Sequence, residues 1–386
     1  MAFSRIWRVT GVLVLIAVEA LLYGYTYPFF SLALEKVGLS NWLIGLNASL
    51  AGAGIFLLGP FLPGLIDKLG LRIVVATQFA VSLLSFVAIL FTDHLVVWFL
   101  ARFVMGTCFS TLWTTTEIWL NGVVDDRHRG RIIGASGTLY AVCQFLGPLL
   151  LGQTGVTGSL PIIAAIVPLA VGVVVALMVP SAIGEAEEED LGNLSGLKLA
   201  VKLAGVLIVF GFLTGVGETA MQSLLPLYGL AHGLDDAHAS YLVAVFSLGE
   251  AVLVAVLGWL ADNWGRARTL RLCTFLSVLT MAALPFVMDM SVLRTAVLFL
   301  AGGVISGLYT LGVILIGQDF RGTRLAAVST GFAMAYSAGS IAGSTPVGAA
   351  IDVFGPEALP GVIGLGFLIL GLFMLRGMRR GPMAEA

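Results

Sequence analysis

The ten residues Gly258-Trp259-Leu260-Ala261-Asp262-Asn263-Trp264-Gly265-Arg266-Ala267 break an apolar run with an aspartate, a glycine and an arginine. A near copy stands 195 residues earlier, Pro63-Gly64-Leu65-Ile66-Asp67-Lys68-Leu69-Gly70-Leu71-Arg72, so that Leu65 falls on Leu260, Asp67 on Asp262 and Gly70 on Gly265. The same shift lays Gly38-Leu39 on Gly233-Leu234. A shift of 196 lays Gly106 on Gly302, Ser110 on Ser306, Trp113 on Tyr309, Tyr140 on Tyr336, Gly147 on Gly343 and Gly152 on Gly348. The chain is therefore read as two parallel repeats. In membrane proteins built of such repeats, the binding site and moving interface lie between the halves near the bilayer midplane. The local chemistry is also readable: an aspartate at a helix end accepts bonds from exposed amides of a neighbouring helix and pairs with arginines, while glycine lets the turn close tightly.

Working outward, 59% of the 386 residues are apolar, 11% are charged and 48 are glycine. That leaves too little polar surface to cover a water-facing globule. At about 20 residues each, twelve membrane spans need roughly 240 residues and leave short connections. Twelve apolar stretches of that length are read, at 9–34, 42–62, 72–92, 95–120, 131–153 and 160–179, then 199–228, 239–261, 270–288, 292–317, 325–351 and 359–375. The expected organisation is an N-terminal six-helix bundle (1–180), an acidic linker (181–196) holding Glu185, Glu187, Glu188, Glu189 and Asp190, and a C-terminal six-helix bundle (197–386). Arg5 and Arg8 precede the first apolar run as in a signal peptide, but the run continues through Phe30 without a small-residue cleavage site, so it is expected to remain as the first membrane helix. Seventeen of the 20 basic residues fall on the side of the termini, with Lys36 and Arg294 opposite and Arg102 inside a span. Positive charge marks the cytoplasm, so both termini are expected there.

The net charge of −2 gives no basic patch for a nucleic-acid partner. Cys108, Cys143 and Cys273 lie far apart in apolar segments and read as core residues. His232, Asp235, Asp236 and His238 in the segment 231–240 read as a solvent-exposed loop rather than a metal site. No P-loop lysine motif, nucleophile elbow or paired metal motif is present in the sequence, so ATP hydrolysis and enzymatic chemistry are not expected, nor is a cofactor.

The two loop copies resemble the motif of the major facilitator superfamily, G-x-L-A-D-R-x-G-R-R in outline. The second copy matches closely; the first departs at Pro63 and Leu71. The resemblance covers essentially the whole chain. It implies an all-α membrane protein of 12 transmembrane helices in two pseudo-symmetric six-helix bundles, working by alternating access, in which Asp67, Arg72, Asp262 and Arg266 act as a gate that latches the cytoplasmic side. Topology signalling by the positive charges is the competing role. Arg102-Phe103-Val104-Met105-Gly106 resembles the family's helix 4 pattern, in which proton-coupled members place an arginine beside a titrating acid; a purely structural ion pair is the alternative. Gly147-Pro148-Leu149-Leu150-Leu151-Gly152 resembles the glycine-proline motif of its antiporters, with Gly339 to Ser344 and Pro346 as the counterpart, although small residues there also serve ordinary packing. Thr116-Glu117-Ile118-Trp119-Leu120-Asn121, followed by Arg129-Gly130-Arg131, resembles a subgroup of bacterial exporters without assigned substrates.

Four acids, Glu19, Glu117, Glu218 and Glu250, lie within apolar spans. A charge there is expensive unless protonated, paired or hydrated, so these acids, with Arg102, are the candidates for proton coupling; a permanently neutral, hydrogen-bonded glutamic acid is the competing reading for any one of them. Glu19, Tyr23 and Tyr27 recur at helical spacing on one face, and their repeat counterparts are Thr214, Glu218 and Gln222. The matching stripes are read as walls of a substrate cavity, joined by Phe109, Trp113, Tyr140 and Gln144 and by the counterparts Tyr309, Tyr336 and Ser340. Acids, aromatics and amides suit an amphipathic or cationic organic molecule better than a polyanion. The expectation is a monomeric carrier of a bacterial inner membrane, exporting a small organic, drug-like or amphipathic compound in exchange for protons. The alternatives are a proton-coupled importer or facilitator of a metabolite, a lipid-handling carrier, and a non-transporting membrane scaffold or sensor.

Overall fold

The computed structural model describes residues 2–125, 128–180 and 194–377. Most of the expected linker, 181–193, lies outside the described residues. Among the described residues every regular element is a helix: α1 Ala2–Lys36, α2 Asn41–Leu58, a 3-10 turn Gly59–Phe61, α3 Leu62–Leu69, α4 Leu71–Leu90, α5 Leu95–Val123, α6 Arg129–Thr154 and α7 Leu160–Met178, then α8 Leu194–Ala231, α9 Asp236–Trp264, α10 Arg266–Val287, α11 Ser291–Asp319, α12 Gly322–Phe354 and α13 Ala358–Gly377. Among the described residues, ten spans are long and apolar enough to cross a membrane, with Asn41–Leu69 counted as one. The shorter apolar helix Ala358–Met374 and the 33-residue α12 complete twelve.

The second span runs further than its apolar pattern. It was expected to end at residue 62, but helix continues to Leu69. Pro60 and Pro63 lack amide hydrogens, so the α ladder tightens into one 3-10 turn and then restarts, with Pro63 at the tolerated start of α3. α9 likewise continues to Trp264. Both copies of the repeated motif are thus helix ends closed by one glycine joint, Gly70 with φ +76° and Gly265 with φ +106°. Glycine is the residue that accepts that left-handed backbone without strain.

The chain forms two compact units, one of Met1–Ala33 with Leu50–Glu189 and one of Leu34–Ser49 with Asp190–Ala386. Inside the first, Phe29, Phe30, Phe86 and Trp98 pack with ring centroids 5.3 to 6.3 Å apart. The second unit includes the tip of the α1–α2 hairpin. Asp352 of α12 accepts the backbone N–H of Asn41 and of Trp42, each at 2.9 Å, and the Asn41 side-chain amide at 2.8 Å. This carboxylate caps the start of α2 from a helix remote in sequence.

Apolar burial does not drive helix association in lipid, so close backbone approach at small residues has to hold the bundles together. The repeat is visible in those approaches. A side chain at Gly106 would strike the Ala51 backbone, and one at Gly302 would strike the Phe246 backbone. Gly147 is seated against the carbonyl of Leu21, and Gly343 against the backbone of Val216. Ala51 and Phe246 are themselves 195 apart in the sequence, as are Leu21 and Val216. The two bundles are pseudo-symmetric in contacts as well as in sequence.

Candidate functional site

In the first unit, Glu19, Tyr23 and Tyr27 lie along α1. Glu19, 2% exposed, accepts a hydrogen bond from the Thr116 hydroxyl of α5 at 3.3 Å. Tyr23 and Tyr27 follow along the helix with rings 5.2 Å apart, edge to face. Arg102 of α5 lies over the Tyr27 ring at 4.3 Å and near the Phe30 ring at 5.0 Å. The guanidinium is 1% exposed, and its Nε and Nη2 have no hydrogen-bond partner among the described residues. The structure therefore places rings, not an acid, against Arg102; Glu19 stands two turns from Tyr27 along α1 and is bonded to Thr116. Trp113 and Tyr140 join α5 to α6 through an edge-to-face pair at 4.6 Å. Phe109 and Gln144 are buried, the latter with its carbonyl against Gly24. Glu117 is exposed and within electrostatic reach of Glu19, while its carbonyl accepts the Asn121 amide at 3.0 Å.

In the second unit, Glu218 of α8, 8% exposed, is hydrogen-bonded to the Tyr336 side chain of α12. Tyr336 pairs with Tyr309 of α11, with rings 4.8 Å apart, and Glu250 of α9 is within its electrostatic reach. Four helices thus contribute to one acidic and phenolic cluster. Ser340, one turn beyond Tyr336, packs on Gly215 of α8. Gln222 is buried with no hydrogen-bond partner for its Nε2, and Thr214 is buried with its hydroxyl given to the Phe210 carbonyl at 2.9 Å.

The two helix-end motifs differ. Arg266 pairs with Asp262 at 3.7 Å and donates to Gln318 at 2.8 Å, tying the ends of α9, α10 and α11. In the first copy Leu71 occupies the position of Arg266, so Asp67 has no cation four residues on. Arg72 instead donates to the Leu177 carbonyl of α7.

Several polar residues close to this chemistry carry no spacing signal. Thr116 as the donor to Glu19, and Gln78, which donates to Thr111 at 2.9 Å and accepts from Thr115 at 3.1 Å, acquire their roles only when α5 meets α1 and α4. Phe332 meets Tyr309 in a tilted ring pair at 5.2 Å for the same reason. His232, read as exposed, instead bonds to Tyr228 and Glu357. Among the described residues, no group of three or more His, Cys, Asp or Glu side chains is placed to hold a metal ion.

Comparison with known proteins agrees with this architecture. The profile of the Major Facilitator Superfamily matches residues 12–334 and again 207–385. An uncharacterized MFS-type transporter of Bacillus subtilis, YfkF, is 24% identical over 348 residues, covering 88% of each chain. An uncharacterized MFS-type transporter of Escherichia coli, YcaD, is 25% identical over 289 residues, covering 74% of this chain and 73% of its own. The crystal structure of the nucleoside transporter NupG superposes with a TM-score of 0.82 at 12% identity, covering 98% of this chain and 99% of NupG.

Proposed function

The chain belongs to the Major Facilitator Superfamily of membrane transporters, and from that premise we propose that it is a secondary active, proton-coupled carrier that exports a small cationic or amphipathic organic compound by alternating access. The observation that carries this reading is Glu218, an almost fully buried carboxyl held by the Tyr336 side chain with Tyr309 and Glu250 close by. An ionised carboxylate at bilayer depth costs several kcal/mol. One phenol does not offset that, so the group is suited to exist neutral with a proton or charged beside a bound cation. Proton and cationic substrate then compete for one carboxylate, which is the elementary requirement for exchange. Glu19 repeats the device with Thr116 as its donor. Tyr23, Trp113, Tyr140, Tyr309 and Tyr336 supply rings that attract an organic cation, while the Tyr27 ring is taken by Arg102. In this reading Asp262 and Arg266, with Asp67 and Arg72, belong to the gate. The bacterial relatives and the basic residues on the terminal side support a bacterial inner membrane with cytoplasmic termini, and a single chain is taken as the working unit.

Import of a small metabolite is the second reading. The fold likeness to a nucleoside transporter favours it, as does Gln222 Nε2, a buried donor suited to the polar edge of a planar ring. Flux in proteoliposomes carrying an internal pH dye separates the two. A cationic compound added outside is expected to drive protons out of the lumen. Proton entry together with a nucleoside or another neutral metabolite would replace export with symport.

A further inference from the structure

At the opposite end of α9 from Asp262, the last turn of α8 meets the turn before α13. His232 Nδ1 lies 2.8 Å from the carbonyl oxygen of Tyr228, and His232 Nε2 lies 3.0 Å from Glu357 Oε1. The Tyr228 hydroxyl donates to the other carboxylate oxygen of Glu357 at 2.8 Å. The Tyr228 side chain is buried, and its ring is 4.3 Å from the imidazole. Both ring nitrogens of His232 therefore face oxygen acceptors. A neutral imidazole has one N–H and can satisfy only one of them; the imidazolium satisfies both.

We propose that His232, Glu357 and Tyr228 form a proton-binding site, separate from the acids within the spans, that ties the end of α8 to the turn at 355–357 when His232 carries its second proton. Asp235, His238, Asp236 and Asp352, the other titratable groups on the neighbouring segments 235–238 and 352, have partners of their own. Asp235 accepts the His238 amide and ring nitrogen, both at 2.7 Å, and these two bonds hold its carboxyl below the usual carboxylate range. Asp236 pairs with Lys36 at 2.9 Å. Asp352 is bonded to Asn41 and Trp42. The tie is complete while both ring nitrogens carry protons and weakens when one is lost, because a lone pair then faces an oxygen. The site thus reports the pH of the compartment that this end of the protein faces.

Hydrogen–deuterium exchange on the full-length protein in lipid nanodiscs, at about pH 5.5 and about pH 8 and corrected for intrinsic exchange, tests this. Amides at 229–234 and 355–359 are expected to exchange about fivefold more slowly at the acid pH, the size of a partly exposed charge-assisted bond. His232→Gln and Glu357→Gln should each remove that step, while His238→Gln should keep it. A wild-type protein with no step, or a step that survives in His232→Gln, would overturn the proposal.

Discussion

The two halves keep the same backbone seats and spend their polar residues differently. Gly147 on Leu21 and Gly343 on Val216 are the same contact twice, as are the ring pairs Trp113–Tyr140 and Tyr309–Tyr336. The acids are not repeated in register: Glu19 corresponds to Thr214, and Glu218 to Tyr23, one helical turn along. Glu19 takes a threonine donor from α5, whereas Glu218 takes a tyrosine from α12 that also senses Glu250. Arg102, among rings in the first half, corresponds to Leu298 in the second. Packing that allows no side chain fixes the scaffold in both halves, while polar positions around it are free to diverge and so give each half a distinct chemical task.

The largest effect should come from the shared seats. Leucine at Gly147 or Gly343 drives a side chain into backbone, and overpacking of this kind costs about 1–3 kcal/mol or more. Both variants should lose folded protein in a detergent thermal-shift assay, and one tolerated leucine would mean that the seats are not equivalent. Next comes Arg102→Lys, which keeps the charge but loses the flat guanidinium face beside Tyr27 and Phe30. Transport should fall about tenfold, or about 1.4 kcal/mol, with the fold retained; an unchanged rate would assign Arg102 to charge alone. Asp352→Ala removes the remote cap of α2, at a cost of about 1 kcal/mol readable as a lower melting temperature. The smallest effect is Arg266→Leu, which gives the second copy the pattern of the first and removes the exposed i, i+4 pair with Asp262, at a cost of about 0.3–0.5 kcal/mol. A slower transport rate in that variant would show that the asymmetry of the two gate motifs serves the cycle.

The fold was legible because lipid imposes it. Spans of fixed length, charge confined to connections and a doubled Asp-x-x-Gly motif leave few architectures open. Asp67 without an Arg266 equivalent was legible too, since Leu71 is a sequence fact. What was not legible is every alliance between distant helices. Nothing in the spacing of α1 announces that Thr116 will donate to Glu19, that Tyr27 and Phe30 will enclose Arg102, or that Asp352 will cap α2. Helix continuation through Pro60 to Leu69 also escaped, because apolarity ends at the membrane surface while the hydrogen-bond ladder does not.

The central claim is that Glu218 and Glu19 exchange protons for substrate. Its most direct test compares two assays in proteoliposomes for wild type, Glu19→Gln and Glu218→Gln: uphill movement of a cationic compound driven by a pH gradient, and exchange of labelled for unlabelled compound without one. The account predicts that each variant loses uphill transport by at least about tenfold, or more than about 1.4 kcal/mol of coupling, while exchange persists and the protein stays folded. Full gradient-driven accumulation in both variants would contradict it.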